Sequence, residues 1–333
     1  MVMTKFRTNS MKTKLNILLG LIAVLSSCKN DKWYFPDNDT QTVYFAYQSP
    51  IRTITLGEDI FDTSLDNQHK FQIMGTTAGV YDNNKDITIG ITVDNALTQG
   101  LSFSSPYSGT VRPMPASYYK LASNQIVIPK GSLIGGVEVQ LTDAFFADPL
   151  SVSTTYVIPV TMNNVDQGKT ILEGKKYTLY AVRYINTWQG FYLRRGKDVI
   201  VGKNGNTTLN QTIVRHMQYV EKDEINKVNT RSLTQAEFPI TFKDAGGNNI
   251  NRTLLLTFDP NGNCTISAAD ASFTASGTGK FVKRGEKNSW GNTDRDALYL
   301  NYQIELSDRT VSAVDTLVMR DRGVKAETFI PVR

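Results

Sequence analysis

The sequence predicts an all-β protein with two domains, and three observations carry that prediction. Short runs of β-branched and aromatic residues recur along the chain, many with apolar and polar positions alternating at the period of a strand. Turn-forming clusters, such as residues 82–85 and 246–249, separate these runs, and no long helical period interrupts them. The length of 333 residues suits two domains of about 150 residues each.

Residues 1–27 have the pattern of a secretory signal peptide. Lys12 and Lys14 precede an apolar run at residues 15–25, and two serines and Cys28 follow. The apolar run is shorter than the roughly 20 residues that a helix needs to cross a bilayer. The chain is therefore expected to be exported.

The order of residues 25–28 (Leu-Ser-Ser-Cys) resembles the bacterial lipobox. The resemblance implies that Cys28 is lipidated and becomes the mature N-terminus, with residues 28–41 as a polar tether. The expected location is the outer membrane, facing the cell exterior, with membrane contact through the lipid only. The alternative is a plain secretory signal with a cysteine near its cleavage site.

Charge and metal-ligand counts exclude several classes of function. The net charge is +5, but the signal segment holds four basic residues and no acid, which leaves the mature chain nearly neutral. Such a balance gives no reason to expect nucleic acid as a partner. Two cysteines and two isolated histidines, His69 and His216, lack the spacing of a metal site. No metal or cofactor is predicted, and Cys264 is expected to be a buried, inert thiol.

The first predicted domain, residues 42–178, is an immunoglobulin-like β-sandwich. Seven strand runs in little more than 100 residues have the spacing of two packed sheets. They are residues 43–47, 52–56, 70–74, 86–93, 125–128, 136–141 and 155–160.

Six short motifs in this region occur in the same order as in a known domain. They are residues 43–45, 52–59, 66–71, 114–119, 126–131 and 139–149. They resemble a domain of unknown function at the N-terminus of surface lipoproteins of Bacteroidetes, which also precedes the catalytic barrel of some family-18 glycoside hydrolases. The resemblance implies a β-sandwich in a polysaccharide-utilisation setting, with no activity of its own.

The second predicted domain, residues 179–333, is antiparallel and forms a barrel or a curved sandwich. Short turns join its strands, which favours up-and-down pairing. Its strand runs are residues 177–185, 207–219, 237–242, 252–258, 264–266, 277–282, 297–306, 314–320 and 327–332. It resembles the C-terminal domains of the same lipoproteins. Trp188 and Gly190 are similar to the Gly-x-Trp opening of lipocalins, which makes a lipocalin-like topology one option.

Motifs for catalysis are absent from the sequence. The signatures of zinc proteases, serine hydrolases and phosphate-binding loops do not occur. We therefore predict a protein that is not an enzyme. A glycosidase remains an alternative, since it needs two carboxylates held about 5–9.5 Å apart, a distance that sequence does not reveal.

Aromatic residues beside polar ones are the remaining signal for a ligand. Sugar rings pack on Trp and Tyr, while arginines and carboxylates bind their hydroxyls. Trp290 lies in a polar loop, where core packing gives it no evident purpose. Trp188 and Tyr192 lie close to Arg194 and Asp198. We predict that these five residues bind glycan; a barrel plug is the alternative role for Trp188.

The combined prediction is a lipid-anchored, non-catalytic surface protein that binds a glycan or oligosaccharide within a polysaccharide-utilisation system. Outer-membrane transport proteins or enzymes are its expected partners. The alternative is a structural or adhesion lipoprotein that binds protein. A concave aromatic groove would favour glycan, whereas a flat, exposed apolar patch would favour a protein partner.

Overall fold

The computed structural model describes residues 41–79, 83–166, 169–244 and 246–333. The predicted signal segment, Cys28 and nearly all of the tether lie outside these ranges. In the described part, the α-helices are two short ones, α1 (Ser64–Asn67) and α2 (Asp143–Ala147). No helix in that part is both long and apolar enough to cross a membrane.

The N-terminal part has twelve strands, and all but the fifth belong to one sheet that folds over on itself. Its strands are β1 (Gln41–Tyr44), β2 (Pro50–Thr55), β3 (Lys70–Ala78), β4 (Ile87–Val93), β5 (Ser102–Phe103), β6 (Arg112–Pro113), β7 (Tyr119–Leu121), β8 (Gln125–Ile128), β9 (Ile134–Leu141), β10 (Tyr156–Val165), β11 (Lys169–Ile171) and β12 (Tyr177–Ile185). The main hydrogen-bonded order runs β11-β1-β3-β9-β8-β4-β10-β12-β2. Strands β8 and β9 share the single pair Val127 and Gly136, where the two halves of this path join.

A common apolar core shows that the two halves pack face to face. Phe71 on β3 stacks on Tyr180 on β12 with ring centroids 5.5 Å apart, although these strands are not neighbours in the sheet. Apolar residues alternate with more exposed ones along β9, so that one face of the strand points into this core. Each fully buried valine, isoleucine or phenylalanine contributes about 1.5–3 kcal/mol, which makes this core the main source of stability.

The C-terminal part is a closed barrel. Its strands are β13 (Gly190–Gly202), β14 (Gln211–Arg215), β15 (Glu224–Thr230), β16 (Gln235–Lys243), β17 (Asn249–Phe258), β18 (Asn263–Ala268), β19 (Thr274–Glu286), β20 (Arg295–Glu305) and β21 (Arg309–Asp321). Consecutive strands pair antiparallel from β15 to β21, and β13 pairs with both β15 and β21. These eight strands form the barrel, and β14 lies beside the far half of β13. The predicted all-β class with a C-terminal barrel is confirmed.

The interior of the barrel is a packed core with a few charged groups. Inward-facing Phe238, Leu256 and Leu300 are fully or almost fully buried. Cys264 belongs to the same core, and burial raises the pKa of its thiol to about 12. The thiol therefore stays protonated at neutral pH, and the predicted burial of Cys264 is confirmed.

The C-terminal tail returns to the sandwich. Strand β22 (Glu327–Thr328) pairs with β2, and β23 (Pro331–Val332) pairs with β5. Between them, Phe329 is buried against Phe103, with ring centroids 4.8 Å apart. Strand β12 also lies inside the sandwich sheet, between β10 and β2, so a boundary after residue 178 cuts through a strand. The predicted division into two domains stays a prediction.

Candidate functional site

One arginine ties the sandwich to the barrel. Arg322, just after β21, is buried and donates hydrogen bonds to four main-chain carbonyls. Two belong to the loop after β2, Leu56 (3.1 Å) and Glu58 (2.9 Å). The other two, Asn186 and Gln189 (both 2.6 Å), precede β13. Because Arg322 holds both parts, the groups around it have a defined geometry.

A cavity of about 310 Å³ lies beside this arginine, and we call it cavity A. Ligand sites in proteins typically have volumes of about 300–1,000 Å³, so cavity A suits a small ligand. Its wall holds four arginines and five carboxylates. They are Arg284, Arg295, Arg320, Arg322, Glu58, Asp59, Asp294, Asp296 and Asp321. The wall is therefore nearly neutral and rich in both hydrogen-bond donors and acceptors.

Trp290 lies next to cavity A and is held in place by two contacts. Its indole N–H donates to the carbonyl of Met319 at 3.2 Å. The guanidinium carbon of Arg295 lies 3.7 Å from the indole centroid, so one face of the ring carries this cation. The half-buried ring thus has a structural purpose that the polar loop sequence did not reveal.

Arg295 is in turn positioned by Trp290. Its Nε donates to the Trp290 carbonyl at 3.2 Å while its guanidinium stacks on the indole. Since Arg295 also lines cavity A, Trp290 supports one of the cavity's hydrogen-bond donors. A donor that is already fixed loses less rotamer entropy when a ligand binds.

Two carboxylates of cavity A are ionised acceptors at neutral pH. The hydrogen bond from Lys283 is the main cause that lowers the pKa of Glu58. The main-chain N–H of Asn288, together with Lys287, lowers the pKa of Asp294. Lowered pKa values suit carboxylates that accept hydrogen bonds; a general acid needs a pKa nearer to neutral.

Trp188 and Tyr192 have partners within the barrel. Trp188 stacks on Phe258 with ring centroids 3.9 Å apart and an interplanar angle of 7°. Tyr192 is fully buried, and its hydroxyl donates to the Trp188 carbonyl at 2.7 Å. These contacts match the plug role that was the alternative for Trp188, although ligand binding by either residue stays a prediction.

Arg194 and Asp198 belong to an ionic network inside the barrel. Arg194 donates to Asp315 at 2.9 Å, and Arg215 donates to the other oxygen of Asp315 at 2.7 Å. Arg215 also binds Asp198 through both terminal nitrogens. The Tyr302 hydroxyl donates to Asp315 at 2.7 Å. Two arginines and two aspartates thus neutralise one another, away from cavity A, and ligand binding by Arg194 and Asp198 stays a prediction.

The residues of cavity A that sequence reasoning missed come from distant parts of the chain. Glu58 and Asp59 lie in the sandwich loop after β2, whereas Arg322 follows the last barrel strand. Arg295 is close to Trp290 in sequence, and this proximity was the only signal that could have identified it.

The sandwich, the barrel and the cavity between them define a class of all-β protein. Comparison with known proteins identifies the family. A family described as a domain of unknown function, DUF5627, matches residues 187–323, and a family described as an N-terminal domain matches residues 37–169. A structure from Bacteroides ovatus, of unknown function, is 42% identical with a TM-score of 0.83. The match covers 89% of this chain and 99% of that one. The chain belongs to the same family as this Bacteroides ovatus protein.

More distant structures also come from Bacteroides ovatus. One of unknown function is 14% identical with a TM-score of 0.44, covering 87% of this chain and 99% of that one. A multidomain protein including DUF1735 is 13% identical with a TM-score of 0.41, and the match covers 85% of this chain and 96% of that one. Both are too dissimilar to inform the present structure. No curated protein matches the chain.

Proposed function

We propose that this protein is a non-catalytic, lipid-anchored protein of the outer membrane that binds glycan at cavity A, within a polysaccharide-utilisation system. The observation that carries the proposal is the wall of cavity A, where planar arginine and carboxylate groups surround a small space beside a fixed tryptophan. Neutral sugars present hydroxyls that both donate and accept, so a nearly neutral wall with both kinds of group complements them. A glycan array on the soluble chain from residue 29 onward tests this function directly.

Support for the lipid anchor comes from the sequence of residues 25–28, which resembles a lipobox. In this proposal the acyl chains on Cys28 hold the folded part at the membrane, and the polar residues that follow act as a spacer. Transport proteins or enzymes that handle the same glycan are the proposed neighbours.

One observation favours the alternative, a protein partner. Strand β14 pairs with β13 on one side, and in the described part of the chain it has no strand on the other. Val214 on β14 is 66% exposed, and Met217 and Tyr219 beyond it are also exposed. An exposed apolar edge strand can pair with another chain. This alternative would be favoured if the chain bound a protein partner and no glycan, and if the change Val214→Lys abolished that binding.

Replacing Trp290 by Ala should weaken glycan binding about 30-fold, corresponding to roughly 2 kcal/mol. The variant loses the indole and also releases Arg295, which the indole supports. The melting temperature should fall only slightly, since the ring is half-buried. Calorimetric titration with a glycan identified on the array, together with thermal melting, measures both effects.

The matched variant Trp188→Ala should show the opposite behaviour. In its alternative role as a barrel plug, Trp188 packs on the core, so its truncation should lower the melting temperature and leave glycan affinity nearly unchanged. If the Trp290 variant kept its glycan affinity and showed a large fall in melting temperature, Trp290 would not be part of the binding site.

Replacing Cys28 by Ala should release the protein from membranes or leave its signal peptide uncleaved. The Cys28 residue carries all the acyl chains in this proposal, and stable anchoring needs more than one chain. Membrane fractionation with a carbonate wash gives the readout. A mutant that remains firmly in the membrane pellet after processing of its signal peptide would contradict lipid anchoring.

A further inference from the structure

A second cavity, which we call cavity B, shares Arg322, Gly323 and Val324 with cavity A. Its volume is about 410 Å³. The sandwich contributes Arg183 to its wall and the returning tail contributes Glu327, while the barrel contributes Phe191 and Lys227. The two parts of the protein therefore build cavity B together.

The charges of cavity B are unbalanced. Three cationic side chains line it, Arg183, Lys227 and Arg322, against the single carboxylate of Glu327. Arg183 and Glu327 form an ion pair and neutralise each other. Two positive charges therefore remain in the wall. The wall of cavity A, which also includes Arg322, holds five carboxylates against four arginines and therefore has no excess of positive charge.

The first excess charge is the buried guanidinium of Arg322. Its four hydrogen-bond acceptors are main-chain carbonyls, which are dipoles without a net charge. Burial lowers the pKa of Arg322, while Tyr192, Asp59 and Asp296 oppose that effect from a distance. Asp59 and Asp296 line cavity A and do not line cavity B.

The second excess charge, on Lys227, is held beside an aromatic ring. Its ammonium lies 5.6 Å from the centroid of Phe191, and Phe191 and Lys227 are paired across β13 and β15. Among the described residues, no ion pair includes Lys227. Its charge is therefore available to a ligand.

We propose that cavity B binds the anionic group of an acidic saccharide, a carboxylate or a sulfate, next to Lys227. The positive wall attracts an anion, and Phe191 offers an apolar surface to the ring that carries it. Asn229 and Thr53 add polar groups for hydroxyls. This inference rests on the proposed glycan-binding function and adds a second subsite, which prefers an anionic group.

Calorimetric titration of the full chain in detergent tests the inference with matched ligands. Tetragalacturonate and its methyl ester share one sugar backbone, and esterification removes the charge of each carboxyl group. A sulfated galactan tetrasaccharide is likewise compared with its desulfated form. At least one anionic ligand should bind about tenfold more tightly than its neutral counterpart. Its affinity should fall as salt is added. The pair that shows the difference identifies the anionic group as a carboxylate or a sulfate.

The variant Lys227→Gln should abolish that preference and leave neutral glycan binding unchanged. The control Lys197→Gln removes an exposed charge from the outer side of β13, away from cavity B, and should keep the preference. Neutral glycan binding that depends on Trp290, without any effect of charge or of Lys227, would overturn this inference alone. No binding of any saccharide would overturn both the inference and the proposed function.

Discussion

Replacing Asp315 by Ala should lower the free energy of unfolding by about 3–5 kcal/mol, since a buried ion pair would lose one partner. Asp315 is 1% exposed and accepts hydrogen bonds from Arg194, Arg215 and Tyr302. Without it, two cationic side chains remain near the barrel core with Asp198 as their only carboxylate in this network. Urea denaturation gives the measurement.

A matched control for this change lies on the same strand. Ser312 on β21 faces outward and is exposed, so Ser312→Ala should change stability by less than about 0.5 kcal/mol. A loss below about 1 kcal/mol for Asp315→Ala would show that the barrel tolerates the unpaired arginines, contrary to the role assigned to this network.

The ionic network also predicts a dependence of stability on pH. Burial alone would raise the pKa of Asp315, but Arg194 and Arg215 outweigh burial and hold it below its ordinary value. The unfolded-state pKa of an aspartate is about 3.9, so stabilisation by ionised Asp315 is complete above that pH and is lost as the pH falls further. The variant Asp315→Asn should show a smaller acid-dependent loss than the wild type.

Replacing Arg322 by Ala should destabilise the protein by about 3 kcal/mol or more. Each buried carbonyl that loses its donor costs about 1–3 kcal/mol, and Arg322 serves four of them from both parts of the chain. Arg322→Lys should not restore stability, because an ammonium cannot reach the same spread of acceptors as the planar guanidinium. Thermal melting measures the loss, and proteolysis near residue 186 should become faster.

Arg320 provides the comparison for Arg322. It lies two residues away, is exposed, and has Asp321 as its ion-pair partner at 3.6 Å. Arg320→Ala should therefore change stability by less than about 0.5 kcal/mol. Similar stabilities for the Arg320 and Arg322 variants would mean that Arg322 does not hold the sandwich and the barrel together.

Local pattern predicted most of the strands but did not reveal the structural partners of some polar residues. We predicted ligand contacts at Arg194 and Asp198 because they lie close to Trp188 and Tyr192 in the sequence. Asp315, the partner of Arg194, lies more than 100 residues further along the chain, and the closure of the barrel by β13 and β21 brings the two together. Sequence alone also revealed no structural partner for Trp290, because the Met319 carbonyl that accepts its indole N–H is distant in the chain.

The sequence by itself determined the all-β class, the approximate positions of most strands and the expectation of an antiparallel second half, because alternation and turn residues report on neighbours close in the chain. Only the tertiary structure decided that the last residues return to the sandwich, that β12 completes its sheet, and that cavities A and B form around Arg322. These features depend on contacts between residues more than 100 positions apart. Such contacts leave no periodic signal in a single sequence, since the residues that make them are chosen by packing and charge in three dimensions.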